Sequence, residues 1–231
     1  MARLFTLVDA DSVEDVRTYL VRARAVDPDA VVRFQGVGGA VGVWTCVLAQ
    51  AGLLDSTPTV LGLRTAGLGE ASSLDAVVSV SAVLDRMPRS RDTQRTQVLL
   101  PPYDEQAAWA GISPSLSGWN VVGSVEAHHL VGTAKAGVEE VAQAVPKDSG
   151  REVVQRVRSA IWGRVSPWGS ASAVAQGAEH DTFPDIPDAA AFAAWALGFL
   201  RSDDTSRVPV AVNASWLRLS CPGGFVLVRT F

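Results

Sequence analysis

The segment Gly36-Val-Gly38-Gly39-Ala-Val-Gly42 narrows the folds open to this chain more than any other. It follows an apolar run, Val31-Val-Arg-Phe-Gln35, as a phosphate-cradling loop would. Such a loop needs a helix next, because the free N–H groups and positive dipole end of a helix hold the phosphate. What comes next is Val43-Trp-Thr-Cys-Val47-Leu48, a β-branched and aromatic run that suits a pleated strand. Val41 also stands where the third glycine of G-x-G-x-x-G should be. The segment therefore predicts a hairpin bend between two strands, near residues 30–35 and 41–49, and no nucleotide cofactor.

Composition sets the scale. With 231 residues, 48% of them hydrophobic and 19% charged, the chain can bury a sizeable core as a single domain over 1–231. A chain of this length hides roughly 70% of its unfolded surface, so neither metal nor disulfide is needed to hold it. A net charge of -4 gives no long-range attraction to nucleic acid or anionic lipid. Cys46 and Cys221 lie far apart in apolar runs, without C-x-x-C or Cys/His ligand spacing, and read as small buried hydrophobes. The uncharged stretch Phe34–Leu54 approaches the length of a membrane span. Its glycines, Thr45 and Gln50 fit a buried hairpin better. The first residues turn acidic at Asp9 before any signal-peptide apolar region develops, which points to a cytoplasmic protein.

Periodicity predicts an α+β fold: a largely antiparallel sheet, three or four covering helices and hairpins near both ends. Residues 3–8 form a short strand, and Ser12-Val-Glu-Asp15 resembles a capping box opening a helix that ends near Asp27-Pro28. Strands are expected at Thr59–Leu63, Val77–Val80 and Gln97–Leu100, with a helical turn at Ala82–Met87. A helix should start at Ser124 and stop at Pro146, and another should cover about 151–163. The polar stretch at about 166–184 reads as a mobile loop. A helix then opens at Asp185–Asp188 with Phe192, Trp195, Ala196 and Phe199 on its inner face. The chain closes as a meander, 208–212, 216–220 and 225–230, turning at Asn213-Ala214 and Pro222-Gly223-Gly224. Both ends thus share a plan, helix then hairpin, with Trp44 in one hairpin and Trp216 in the other.

Reactive signatures are scarce. His128 and His129 are adjacent on a helix and do not converge on one metal. His180-Asp181 has no nucleophile placed for it, and no G-x-S-x-G elbow nominates one. No catalytic residue, metal ligand or cofactor is expected. Arg86, Arg89, Arg91 and Arg95 form a candidate anion-binding cluster, since guanidinium groups bind phosphate or carboxylate bidentately. Tryptophan supplies the other candidates. Trp109 and Trp119 stand at the ends of a turn-rich loop, and Trp162 lies beside Arg164. Indoles suit ligand clefts and interfaces, so these four residues are the candidate ligand-binding set.

At Thr59-Val-Leu-Gly-Leu-Arg-Thr65, Trp109-Ala-Gly-Ile-Ser-Pro, Ser117-Gly-Trp119, Ile161-Trp-Gly-Arg164 and Val226-Leu-Val-Arg229, the chain resembles conserved, uncharacterised proteins of high-GC actinobacteria. The resemblance implies a soluble bacterial protein and no activity. The inventory fits a non-catalytic binding or partner-assembly protein, with a homo-oligomer or a protein partner expected. The alternative is a small-molecule enzyme with a site near the Trp109–Trp119 loop and Arg164. A remote third is anion or nucleic-acid binding through Arg86–Arg95.

Overall fold

In the computed structural model, which describes residues 3–50, 52, 55–87, 95–146, 149–165 and 183–229, the glycine cluster turns the chain back as a hairpin. Strand β2 (Val31–Val37) pairs antiparallel with β3 (Ala40–Leu48), and Val37 faces Ala40 across the turn. Gly38 takes φ 58°, the left-handed conformation that glycine adopts without steric cost. No helix follows, so the segment offers no phosphate cradle.

The chain divides into two compact units, Met1–Cys46 with Gly62–Ser113, and Val47–Leu61 with Pro114–Phe231. Both are α+β, and every strand pair of defined register is antiparallel. Strands β3 and β4 (Thr59–Gly67) each contribute residues to both.

In the first unit, β5 (Asp75–Ser79) pairs with β2, and the strand order is β5-β2-β3-β4. Helix α1 (Ala10–Val26) covers one face of this sheet with Val13, Val16, Tyr19, Leu20, Ala23 and Val26. Its cap is Asp9, whose carboxylate accepts the Ser12 N–H at 2.7 Å. The helix therefore starts at Ala10, before the capping box read at Ser12: a carboxylate three residues earlier already satisfies that donor. The buried Tyr19 hydroxyl shares a hydrogen bond with Thr45 Oγ1 (2.6 Å) and donates to the Gly62 carbonyl (3.0 Å). That contact fixes α1 against the sheet. The short α2 (Val80–Leu84) starts on Ser79, and β1 (Leu4–Thr6) pairs with β6 (Gln97–Leu99) in a small separate sheet.

The second unit holds β7 (Asn120–Glu126), α3 (Ala127–Ala144), α4 (Arg151–Trp162), α5 (Asp188–Ala196), β8 (Arg207–Asn213), β9 (Trp216–Cys221) and β10 (Gly224–Arg229). The order is β10-β9-β8-β7. Here one expectation fails: Ser124 does not open a helix but lies inside β7, and α3 begins at Ala127. Pairing with β8 decides this, because it buries Val125 opposite Val208 and satisfies the strand backbone. Gly137 on α3 admits the Trp162 ring so closely that a methyl group there would collide with it. Trp162 in turn stacks on Phe192 of α5, ring centroids 4.3 Å apart. Helix α5 is buried nearly all round, Asp188–Ala194, because its alanines let neighbours approach from several sides. Trp195, expected in its inner face, is only half-buried.

The two units share a plan. A three-strand run (β2-β3-β4 or β8-β9-β10) carries a fourth strand antiparallel to its first, β5 on β2 and β7 on β8. Each fourth strand leads directly into a helix.

Candidate binding surface on the second unit

Register places one row of side chains across the face of the second sheet that points away from the helices. Val121 faces Ala211, Ala211 faces Arg218, and Arg218 faces Leu227. Residues directly opposite across a strand pair share a face, so all four lie on the same side. Asn213, Trp216 and Arg229 form the next row. The face-sharing positions of β8, β9 and β10 include Arg207, Arg218 and Arg229 and no carboxylate.

The loop before β7 closes over this row. The Asn213 side-chain amide donates to the Ser117 carbonyl (2.7 Å), Gly118 takes φ 79°, and the Trp119 indole N–H donates back to Ser115 O (3.0 Å). These bonds hold the Trp119 ring against the Arg218 guanidinium, whose carbon lies 4.6 Å from the ring centroid. The Phe225 ring approaches the same guanidinium at 5.5 Å. Arg218 is thus clasped by two aromatic rings, an arrangement favoured by the ring quadrupoles. Its Nε is buried with no hydrogen-bond partner. Burial alone pulls its pKa down. No carboxylate among the described residues pairs with it. Leu116 in the loop before β7 and Val121 on β7, two strands from Arg218, are 72% and 63% exposed. The geometry offers a half-buried cation with no counter-charge among the described residues, on a face that also carries the exposed Val121.

The candidates read from the sequence are placed as follows. Trp119 belongs to this surface. Trp109 lies half-buried in a 3-10 turn, Ala108–Gly111, of the first unit. Trp162 is buried between α3 and α5. Arg164 sits past the end of α4, makes a bidentate pair with Glu140, and donates through Nε to the Ile161 carbonyl (3.1 Å). The Glu140 carboxylate raises the Arg164 pKa. Arg86 is exposed and caps α2 by donating to the Ala82 carbonyl (2.6 Å), and Arg95 is exposed. Arg89, Arg91, His180, Asp181 and the loop residues 166–182 lie outside the described residues. His128 and His129 are exposed on α3, and no group of metal-binding side chains occurs among the described residues.

Two of the cavities in the second unit bear on these candidates. One, of about 490 Å³, runs between Pro58, Val165, Pro187, Trp216 and Leu217. The other, of about 360 Å³, lies among Gly137, Glu140, Arg164 and Asp188. Neither takes a wall from Trp109, Trp119 or Trp162. Cys46 and Cys221 form no disulfide, and burial pushes the Cys221 thiol up to about 12.

Sequence reasoning missed Arg218 and Phe225. The signal was present: Leu217 and Leu219 alternate with Arg218 in a strand, and a two-residue turn sets Phe225 beside it. Folding that hairpin on paper puts both on one face.

Comparison with known proteins gives no activity. Similar solved structures include pol III beta of Caulobacter crescentus, at 10% identity and TM-score 0.43, covering 99% of this chain and 65% of that one. Another is the Helicobacter pylori beta clamp in complex with carprofen, at 10% identity and TM-score 0.45, covering 99% and 63%. The DNA polymerase sliding clamp from Pseudomonas aeruginosa gives 10% identity and TM-score 0.44, covering 99% and 64%. This chain spans less than two thirds of the length of each. No curated protein matches it. Two domain families of unknown function do match, DUF8010 over residues 1–111 and DUF8185 over residues 114–231. The chain belongs to the family defined by the domain of unknown function DUF8185, here preceded by a DUF8010 domain.

Proposed function

We propose that this protein is a non-catalytic binding protein that assembles with a protein partner through the outer sheet face of its second unit. One observation carries the reading: Arg218 is held in place by Trp119 and Phe225, yet no carboxylate among the described residues answers its charge. Structural arginines are ordinarily answered within their own chain, because removing an unanswered cation from water is costly. Exposed Leu116 and Val121 add the apolar contact that interfaces use. The remaining perturbed groups have local causes. Asp75 and Asp203 are lowered by paired arginines, Asp9 by the helix cap, and Cys221 is raised by burial.

Among the described residues, no helix is long and apolar enough to cross a membrane. The reduced cysteines support a cytoplasmic location, and the preference for arginine over lysine supports a high-GC actinobacterial source.

A photo-crosslinking side chain placed at Val121 tests the proposal, with Val153 on α4 as the exposed control. The expected result is a protein adduct at position 121 and none at 153. Equal adducts at both positions, or none at 121, would contradict it.

A further inference from the structure

We infer that the occupant of this face is an extended peptide segment that sets an acidic side chain on Arg218 and an apolar side chain on Val121 and Leu116. The inference rests on the binding role proposed above and adds the chemistry of the partner.

Charge comes first. The positions that share the Arg218 face on β8–β10 carry arginines and no acid, and the one acid of β7 at this side, Glu126, is paired with Arg207 at 2.8 Å. A carboxylate is the planar, bidentate complement of a guanidinium. The indole and phenyl rings already flank the guanidinium at 4.6 and 5.5 Å, so a bound carboxylate would find its partner held in place.

Shape comes second. Ala211 and Leu227 in this row are covered, 1% and 2% exposed, so the accessible part of the face is its β7 end, where Val121 is exposed and Trp119 and Arg218 are half-buried. A small molecule would leave most of its surface in water there, whereas a chain can run along this edge, since β7 ends the strand order. From Val121 on β7 to Arg218 on β9 is two strand spacings, roughly 10 Å. An extended peptide rises about 3.3 Å per residue, so its acid and its apolar anchor should be two to four positions apart.

A nucleic acid fits less well. Backbone binding needs several phosphate contacts at once, while this chain has net charge -4 and Arg207 of this face is already paired with Glu126.

The test is selection of a random peptide library on the full chain, followed by titration of the enriched peptides against variants that retain the native circular dichroism. Enriched peptides should carry Asp or Glu two to four positions from Leu, Ile, Phe or Trp. They should lose at least about tenfold in affinity on Arg218→Gln, and retain part of it with Arg218→Lys, which keeps charge without the stacked plane. Peptides whose acids can be replaced by amides without loss, or whose binding ignores Arg218→Gln, overturn the inference. If such peptides still lose binding on Val121→Glu, the partner-binding face stands and only its chemistry is wrong. If neither variant matters, or nothing is enriched, both readings fall. Dimerisation of the unliganded chain that Val121→Glu abolishes would assign the face to a second copy. Arg218-dependent binding of an oligothymidine would assign it to nucleic acid.

Discussion

Each unit holds an arginine on the outer face of its sheet, and the two are treated in opposite ways. Arg33 on β2 makes a bidentate pair with Asp75 (2.6 and 2.7 Å) and donates to the Ala110 carbonyl (2.7 Å) and the Ser113 hydroxyl (2.6 Å). The Asp75 pair raises its pKa, and the bonds to Ala110 and Ser113 tie the segment bearing Trp109 to the sheet of the first unit. Arg218 on β9 meets two aromatic rings and, among the described residues, no carboxylate, and burial lowers its pKa. A guanidinium answered within its own chain serves the fold. One that is oriented but left unanswered is the group on which the proposed binding role rests. The same contrast separates Trp162, enclosed by Gly137 and Phe192, from Trp119, which stays half-buried at the surface.

The tryptophans give the largest expected effect. Trp162→Ala should destabilise the second unit by about 3–5 kcal/mol, because it empties a site enclosed by α3 and α5. Trp119→Ala should cost only about 1 kcal/mol, the worth of its contact with Arg218 and partial burial. Denaturant melts of both variants measure this difference. Equal losses would mean that Trp119 is as structural as Trp162.

The arginines come next. Arg33→Met strands Asp75 and two further hydrogen-bonding groups, and should cost about 2 kcal/mol after allowance for the half-exposed carboxylate. Arg218→Met keeps the stem between the rings and removes an unanswered charge. Its change should stay within about 1 kcal/mol of zero in either direction. A loss at Arg218 as large as that at Arg33 would erase the contrast.

Acidification gives the smallest effect. The Arg33 guanidinium holds the Asp75 carboxyl below its ordinary value of 3.8. A depressed carboxyl contributes stability above that ordinary value and loses it as pH falls through the folded value. The first unit should therefore weaken below about pH 4. That decline should be shallower in Arg33→Met, and Arg218→Met should leave it unchanged.

Much of the fold was readable from residue order. The β-branched residues after the glycine cluster identify a hairpin, and the Pro222-Gly223 turn places β9 against β10. Two errors have one physical source, competition between local and long-range partners. Ser12 looks like a cap until Asp9 takes its N–H, and Ser124 looks like a cap until β8 takes the backbone of β7. The candidate surface was half readable. Trp119 stood out by its loop, and the same reasoning favoured Trp162 and Arg164, which the structure gives to a helix interior and to Glu140. Arg218 did not stand out, because its character depends on a ring supplied from before β7 and on the acids absent from neighbouring strands. Such an absence exists only once the sheet is assembled.

The most direct measurement follows the indole N–H resonances of the seven tryptophans while an acidic, apolar peptide from the library is added. The Trp119 signal, assigned with Trp119→Phe, should shift on binding while those of Trp44 and Trp162 stay in place. A Trp119 resonance that does not move while Trp109 or Trp162 shifts would contradict it.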